Sequence, residues 1–377
     1  MSFSQKNALI KLIHKKNDRH KLKNYRPISL LNTDVKIVTK VLAKRLAMVL
    51  KNIIHESQKC VPGRQITDNI HIAQDLIDLI NEQENEAAFI FLDQEKAFDR
   101  ISHNFLFKTL EKFGFGNNFI NWIKIFYNNV NSQIKLNGKL SEKIEIEQGL
   151  RQGCPLSALL YVLCAEVLQI NIRKDPRIKG YKLENFEMKG LSFADDMMTV
   201  VTSEDSIHAL FDLISSYEKA TNAKINIDKT EAIWVGKWRD NSHKPLGLKW
   251  VNNYVKFVGV FIGNNRKEAS KISFNEIIES IKKKLSYWNT KSISVKGKVK
   301  IINTFVLSKL WYVLETHDLP ENMLLDLKNI LTTFIWKGHK QVSYEFLCLS
   351  YEEGGLSLQN IKVKQDVLRI KSETSSR

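Results

Sequence analysis

Residues 189–201 read Lys189-Gly190-Leu191-Ser192-Phe193-Ala194-Asp195-Asp196-Met197-Met198-Thr199-Val200-Val201, two apolar runs either side of an uninterrupted pair of acids. Apolar β-formers on both flanks predict two buried strands joined by a tight turn, which lifts Asp195 and Asp196 to the rim of a sheet. Adjacent carboxylates repel, and in a partly buried site they stay ionised only when cations neutralise them. A hard divalent metal is the natural third party. Taken alone, the pair also reads as an ordinary turn on a hairpin, because Asp is a common turn residue.

A second acid changes the balance. Ala87-Ala88-Phe89-Ile90-Phe91-Leu92 is an apolar run of strand length that ends on Asp93 and continues Gln94-Glu95-Lys96-Ala97-Phe98-Asp99. If this strand pairs beside the hairpin, Asp93, Asp195 and Asp196 converge on one point, the arrangement that two-metal phosphoryl transfer requires. Phe193-Ala194-Asp195-Asp196, together with Asp93 and Phe98 five positions later, resembles the catalytic core of reverse transcriptases, and in particular the polymerase of non-LTR, LINE-type retrotransposons. The resemblance runs in the family's order from about Ala8 to Ile361. It implies an α+β right-hand polymerase with fingers at 1–87, a palm on an antiparallel sheet at 88–263 (with finger-contributing helices and a hairpin), a helical thumb at 264–338, and a truncated connector and tail at 339–377.

The 377 residues carry a formal net charge of +16, placed unevenly. Residues 1–51 hold thirteen Lys or Arg against two acids, a net of +11, and residues 266–300 hold ten against three, a net of +7. The remaining chain is therefore near −2 and contains the candidate metal-binding acids. Two basic lobes around an acidic centre suit a protein that grips a polyanion and acts on it, although Lys-rich helices also serve as solvated faces. Cys60, Cys154, Cys164 and Cys348 show no metal-binding or disulfide spacing, so no disulfide-linked partner is expected. No apolar stretch is long enough to span a bilayer. A soluble intracellular protein is expected, in nucleus and cytoplasm as the family implies; the oligomeric state is not legible.

Along the chain, Ala8–Ile13 reads as a strand, and Pro27 in Asn24–Asn32 favours a sheet edge. The resemblance puts Lys15, Lys16 and Arg26 at the triphosphate of the incoming nucleotide, where a guanidinium fork suits phosphate oxygens. Asp34–Ile54 is a helix with an apolar stripe through Ile37, Val38, Val41, Leu42, Leu46, Val49, Leu50 and Ile53. Thr67 reads as the cap of a second helix and Ser102 as the cap of a third that stops at Gly114. Asn137-Gly138 is a hairpin turn. Gln148–Ser157, a Gly-containing turn before a helix, resembles the loop under the nascent base pair, with Gln152 touching the nucleotide. Phe98 is implied to lie against its sugar, where a ring excludes a ribose 2′-hydroxyl.

Thr221–Thr230 resembles the family's Leu-Asn-x-x-Lys-Thr segment, in which Lys229 would protonate or pair with departing pyrophosphate. Ile225 replaces the Leu, and Ala223 stands where glycine is common. Tyr254–Gly263 reads as strand, turn and strand and sits where the primer grip does, with Gly259 in its turn. Three amphipathic helices follow, with Lys282, Lys283 and Lys284, and then Lys296, Lys298 and Lys300, placed to track the backbone of a template-primer duplex. Residues after Arg369 read as a disordered tail.

The functional expectation is an RNA-directed DNA polymerase that uses an RNA template, a DNA primer and deoxynucleoside triphosphates with two Mg²⁺ ions, Mn²⁺ serving as a substitute. An inactive copy that only binds nucleic acid is the alternative, and an RNA-directed RNA polymerase is a third reading that Phe98 opposes. The chain begins at the fingers and stops shortly after Gly354-Gly355-Leu356, so a truncated copy or partial gene is expected.

Overall fold

The computed structural model describes residues 1–375 apart from 16, 17, 185 and 338–340. It divides into two compact units, Met1–Asn69 with Ile80–Asn252, and Ile70–Leu79 with Asn253–Arg377.

The first unit is built on a five-stranded sheet in the order Lys249–Val251, Glu231–Gly236, Glu86–Leu92, Asp196–Val201, Gly190–Phe193. Glu86–Leu92 is central and antiparallel to both neighbours. Every residue from Ala87 to Leu92 is buried, which is why the sequence shows a continuous apolar run instead of an alternating one. Each large side chain of this kind contributes roughly 1.5–3 kcal/mol when withdrawn from water. Ala88, Ile90 and Leu92 share a core with Leu160, Tyr161, Cys164 and Leu168 of the helix Ser157–Lys174 and with Ile207, Leu210 and Ile214 of the helix Glu204–Thr221. The mix of sheet and packed helices is the α+β class the sequence predicts.

A second sheet runs Tyr25–Leu30, Asn7–His14, Asn131–Leu136, Lys139–Leu140, with Ile144–Glu145 also on Asn131–Leu136. Pro27 sits on its edge strand, as its missing N–H demands. Asn137 (φ 49°) and Gly138 (φ 82°) make the expected turn. The pairing of Asn7–His14 with Asn131–Leu136 is parallel and spans more than a hundred residues of chain.

Several local expectations are corrected. In the helix Thr33–Ile53 the buried positions are Val35, Thr39, Leu42, Ala43, Leu46 and Leu50, while Ile37 and Val41 are 60% and 53% exposed, so half of the apolar stripe faces outward. Thr67 lies inside the helix Ile66–Glu82 and is buried, so it does not cap it. Ser102 does cap His103–Lys112, accepting from the Phe105 N–H at 3.5 Å.

The second unit carries the hairpin Tyr254–Phe257/Val260–Gly263, turned through Val258 (φ 47°) and Gly259 (φ 93°). The helices Arg266–Asn289, Val295–Ile301, Leu307–Thr316 and Glu321–Trp336 follow. Residues 302–306 form a π turn inside the second of the three amphipathic helices expected here. Lys298 is buried and donates to the carbonyl oxygens of Phe334 (2.8 Å) and Ile335 (2.9 Å), so it closes a helix C-terminus and does not face solvent. The last described helix, Ile361–Ser375, runs through residues expected to be disordered; it packs on Leu307–Thr316 with Ile361 and Gln365 buried. No helix among the described residues is long and apolar enough to cross a membrane.

Candidate active site

The register of the central sheet brings the acids together. Met197 pairs with Leu92 in an antiparallel ladder, so one step further out Asp196 lies opposite Asp93. Asp195 occupies the two-residue turn between Phe193 and Asp196. The three carboxylates act on one another: Asp196, on the rim, is pushed up to about 6, first by lost hydration and then by the charges of Asp195 and Asp93, while Lys15 opposes the shift. Two acids at strand ends and a third in the hairpin turn before Asp196 therefore form one electrostatic cluster.

The turn itself is strained and clamped. Ala194 takes a left-handed φ of 55°, which costs a residue with a Cβ roughly 1–2 kcal/mol. Gln58, fully buried, holds it: its Oε1 accepts from the N–H groups of Ala194 and Cys60, both at 3.0 Å. The Ser57–Lys59 backbone runs along Gly190–Phe193, with Ser192 N–H donating to Ser57 O at 2.9 Å and Lys59 N–H to Ser192 O at 2.8 Å. On the other side Asn226 N–H donates to Asp93 O at 2.7 Å, and the Thr230 hydroxyl accepts from Asp93 N–H at 3.3 Å. Gln58 was missed as a site residue in the sequence, since an isolated amide carries no local signal, and Thr230 stood in the Leu-Asn-x-x-Lys-Thr segment without a role.

Phe98 stacks on buried Tyr161, ring centroids 4.5 Å apart at 24°. Tyr161 donates to Gln94 Oε1 at 2.7 Å, and its hydroxyl is pushed far up by burial, then by Tyr217 and Asp195. Phe98 is thus a half-buried ring with a rigid backing, on the short helix Ala97–Arg100 that follows Asp93. Gln152 donates through Nε2 to Asp99 at 2.9 Å, and Asp99 is shifted upward by burial despite that bond. Both open onto a cleft of about 440 Å³ lined also by Pro27, Ser29, Lys96 and Arg100. Gly149 (φ 89°) and Gly153 (φ 109°) are required here: a Cβ would meet Asp99 O and Ser29 O, each at 2.7 Å. A larger groove of about 710 Å³, lined by Leu46, Met48 and Trp122 among others, contains no acid and is not this site.

Of the remaining sequence candidates, Arg26 is exposed on the edge strand, and Lys16 lies outside the described residues. Lys229 is exposed on the one-turn helix Ile227–Lys229, beside the segment clamped to Asp93. Within the second unit, Gly259 turns the short hairpin under Tyr312, whose hydroxyl donates to Val258 O at 2.5 Å. Lys282 pairs with Glu279 at 2.8 Å, Lys284 donates to Phe305 O at 2.9 Å, and Lys283 is exposed.

Among the described residues, no three His, Cys, Asp or Glu side chains close into a ready-made metal cage. Magnesium does not need one. It keeps several waters and is held by one or two carboxylates together with substrate phosphates. An open rim of three acids with an upward-shifted Asp196 fits such an ion, because a cation relieves their mutual repulsion.

Residues 13–262 match the family model described as reverse transcriptase (RNA-dependent DNA polymerase). The chain is 32% identical over 377 residues to the transposon TX1 uncharacterized 149 kDa protein of Xenopus laevis, covering 98% of this chain and 29% of that protein. It is 23% identical over 372 residues to the retrovirus-related Pol polyprotein of the type-1 retrotransposable element R2 of Popillia japonica, covering 93% and 50%. The chain thus spans about half or less of these relatives' length. Among solved structures, apo telomerase from Candida tropicalis aligns with a TM-score of 0.53 at 14% identity, covering 98% of this chain and 69% of that one. The insertion-loop deletion mutant of the RNA-dependent RNA polymerase of a human picorbirnavirus aligns at 0.52 and 12%, covering 97% and 64%. The shared fold is the right-hand polymerase architecture.

Proposed function

The chain belongs to the reverse transcriptase (RNA-dependent DNA polymerase) family, and from that premise we propose that it is the polymerase segment of a non-LTR, LINE-type retrotransposon protein, extending a primer 3′-hydroxyl on an RNA template. The observation that carries this reading is that the Leu92–Met197 register brings Asp93 to the hairpin of Asp195 and Asp196, whose charges act together on Asp196. Reverse transcriptases as a family use divalent metal ions. Here two Mg²⁺ would be held by Asp93, Asp195 and Asp196, and would supply charge neutralisation and alignment for nucleotidyl transfer.

In the reaction the primer 3′-hydroxyl gives up its proton to solvent, its oxygen bonds to the α-phosphorus of a deoxynucleoside triphosphate, the bond from that phosphorus to the oxygen bridging to the β-phosphate breaks, and pyrophosphate leaves. Asp195 and Asp93 would offer carboxylate oxygens at the rim. Lys15, whose charge already acts on Asp196, and Arg26 on the neighbouring strand are suited to triphosphate oxygens. Lys229 would meet the leaving pyrophosphate. The Phe98 ring, held from behind by Tyr161, would exclude a 2′-hydroxyl, and Gln152, oriented by Asp99, would present its Oε1 to the nucleotide. In this reading fingers span 1–87, palm 88–263 and thumb 264–338. Lys283 is the most available of the three thumb lysines for backbone phosphates, and the primer-grip role falls to the Gly259 turn.

The test is primer extension with an RNA template and MgCl₂, comparing the wild type with Asp195→Ala. Extension should be abolished while duplex affinity stays within about twofold, because transition-state charge, not ground-state grip, is what the acids serve. Undiminished synthesis by Asp195→Ala would remove the proposal.

A further inference from the structure

The second unit carries a group of aromatic rings that the polymerase reading does not use. Tyr287 is 60% exposed and Phe305 is 49% exposed. Trp288 lies between them, edge-on to Tyr287 at 5.6 Å and stacked on Phe305 at 6.4 Å and 26°. Lysines are fixed around the rings: Lys284 Nζ sits 5.4 Å from the Phe305 centroid, and Lys291 Nζ sits 5.5 Å from that of Tyr287. Lys283, Lys284, Tyr287 and Trp288 recur at spacings of three and four on Arg266–Asn289, so they share one helix face, and Lys291 follows just past the helix end.

The partner is indicated by charge. Between Glu279 and Glu315 the chain has no acid and eight lysines, of which only Lys298 is buried. A cluster that served only to pin the π turn at 302–306 would bury its rings. These rings are left half open instead, and the π turn itself puts Phe305 outward while burying Ile302 and Val306. Flat rings flanked by cations are the surface on which unpaired bases stack while the backbone phosphates meet lysine. A duplex offers no such base faces along its length, because its own stacking occupies them.

We propose that Tyr287, Trp288 and Phe305 form a stacking platform for single-stranded nucleic acid, with Lys283, Lys284 and Lys291 as its phosphate contacts. The proposal rests on the polymerase reading for the presence of such a strand, and extends it by giving this lobe a preference for unpaired over paired nucleic acid. RNA and DNA single strands share the chemistry.

Fluorescence anisotropy with labelled oligo(rU), oligo(dT) and a blunt hairpin duplex tests it on the full chain. Tyr287→Ala and Phe305→Ala should each weaken binding of the single strands by about fivefold or more, while the hairpin changes by less than about twofold. Oligo(rU) and oligo(dT) falling together identifies the bases as the ligand; loss confined to one of them assigns the platform to RNA or to DNA. If either alanine variant fails to fold, Tyr287→Leu and Phe305→Leu keep the apolar volume and are held to the same readout, and Tyr287→Phe should bind as the wild type. Unchanged single-strand affinity, or an equal fall for hairpin and single strands, overturns the proposal. Primer extension by the wild type is measured in parallel, so a chain that binds single strands through these rings yet does not extend a primer refutes the polymerase reading and leaves the platform standing.

Discussion

Gln58→Leu isolates the clamp on the aspartate turn. The substitution keeps side-chain bulk and removes the one oxygen that accepts from Ala194 N–H and Cys60 N–H. Each partly buried donor left without a partner costs about 1–3 kcal/mol. The loss is offset in part, because Gln58 Nε2 is buried with no hydrogen-bond partner, and removing it relieves about 1 kcal/mol. The net destabilisation worked from these contacts is about 1–5 kcal/mol, felt locally at a turn that already holds Ala194 at φ 55° against its preference. Amide exchange in the 190–196 segment should therefore speed by roughly fivefold to several thousandfold in the opening equilibrium. Single-turnover extension should slow by about ten- to hundredfold, as expected when a reacting group is displaced by an ångström or less. Faster exchange with an undiminished extension rate would refute the reasoning, since the clamp would then stabilise the turn without positioning its carboxylates.

The pH dependence carries an unusual sign. Asp196 titrates at about 6 in the folded chain against 3.8 unfolded, so the folded state holds the extra proton between these values and stability falls as pH rises through that window. MgCl₂ should then raise the melting temperature far more above about pH 7 than near pH 5; equal shifts at both would count against the acid cluster as the ion's site. Lys298→Met should lower stability by about 1–3 kcal/mol by leaving the Phe334 and Ile335 carbonyls unpaired, without changing the salt dependence of duplex binding; a reduced salt slope would make Lys298 a phosphate contact after all. Phe98→Ala should raise ribonucleotide relative to deoxynucleotide incorporation by roughly tenfold while the Tyr161 contact is lost; an equal fall for both nucleotides would assign Phe98 to packing alone.

What the sequence determined by itself was local and periodic. The two strands and turn around Asp195, the buried strand ending at Asp93, the Asn137-Gly138 hairpin and the Ser102 cap each depend on residues within a few positions of one another, so propensity and patterning reach them. The family resemblance added order and roles, and the fold it implied is the one observed. Only the tertiary structure decided which acids face one another, because the Leu92–Met197 register joins residues about a hundred positions apart. It also decided that Gln58 clamps the turn, that Tyr161 backs Phe98 and that Asp99 orients Gln152, since hydrogen bonds between distant side chains leave no periodic trace. The errors share one cause. An amphipathic stripe reports that a face is apolar and a lysine run that a segment is basic, but what covers either is fixed by packing. Hence Ile37 and Val41 stand exposed on a helix read as packed, and Lys298 is buried at a helix end where the pattern placed it toward a polyanion.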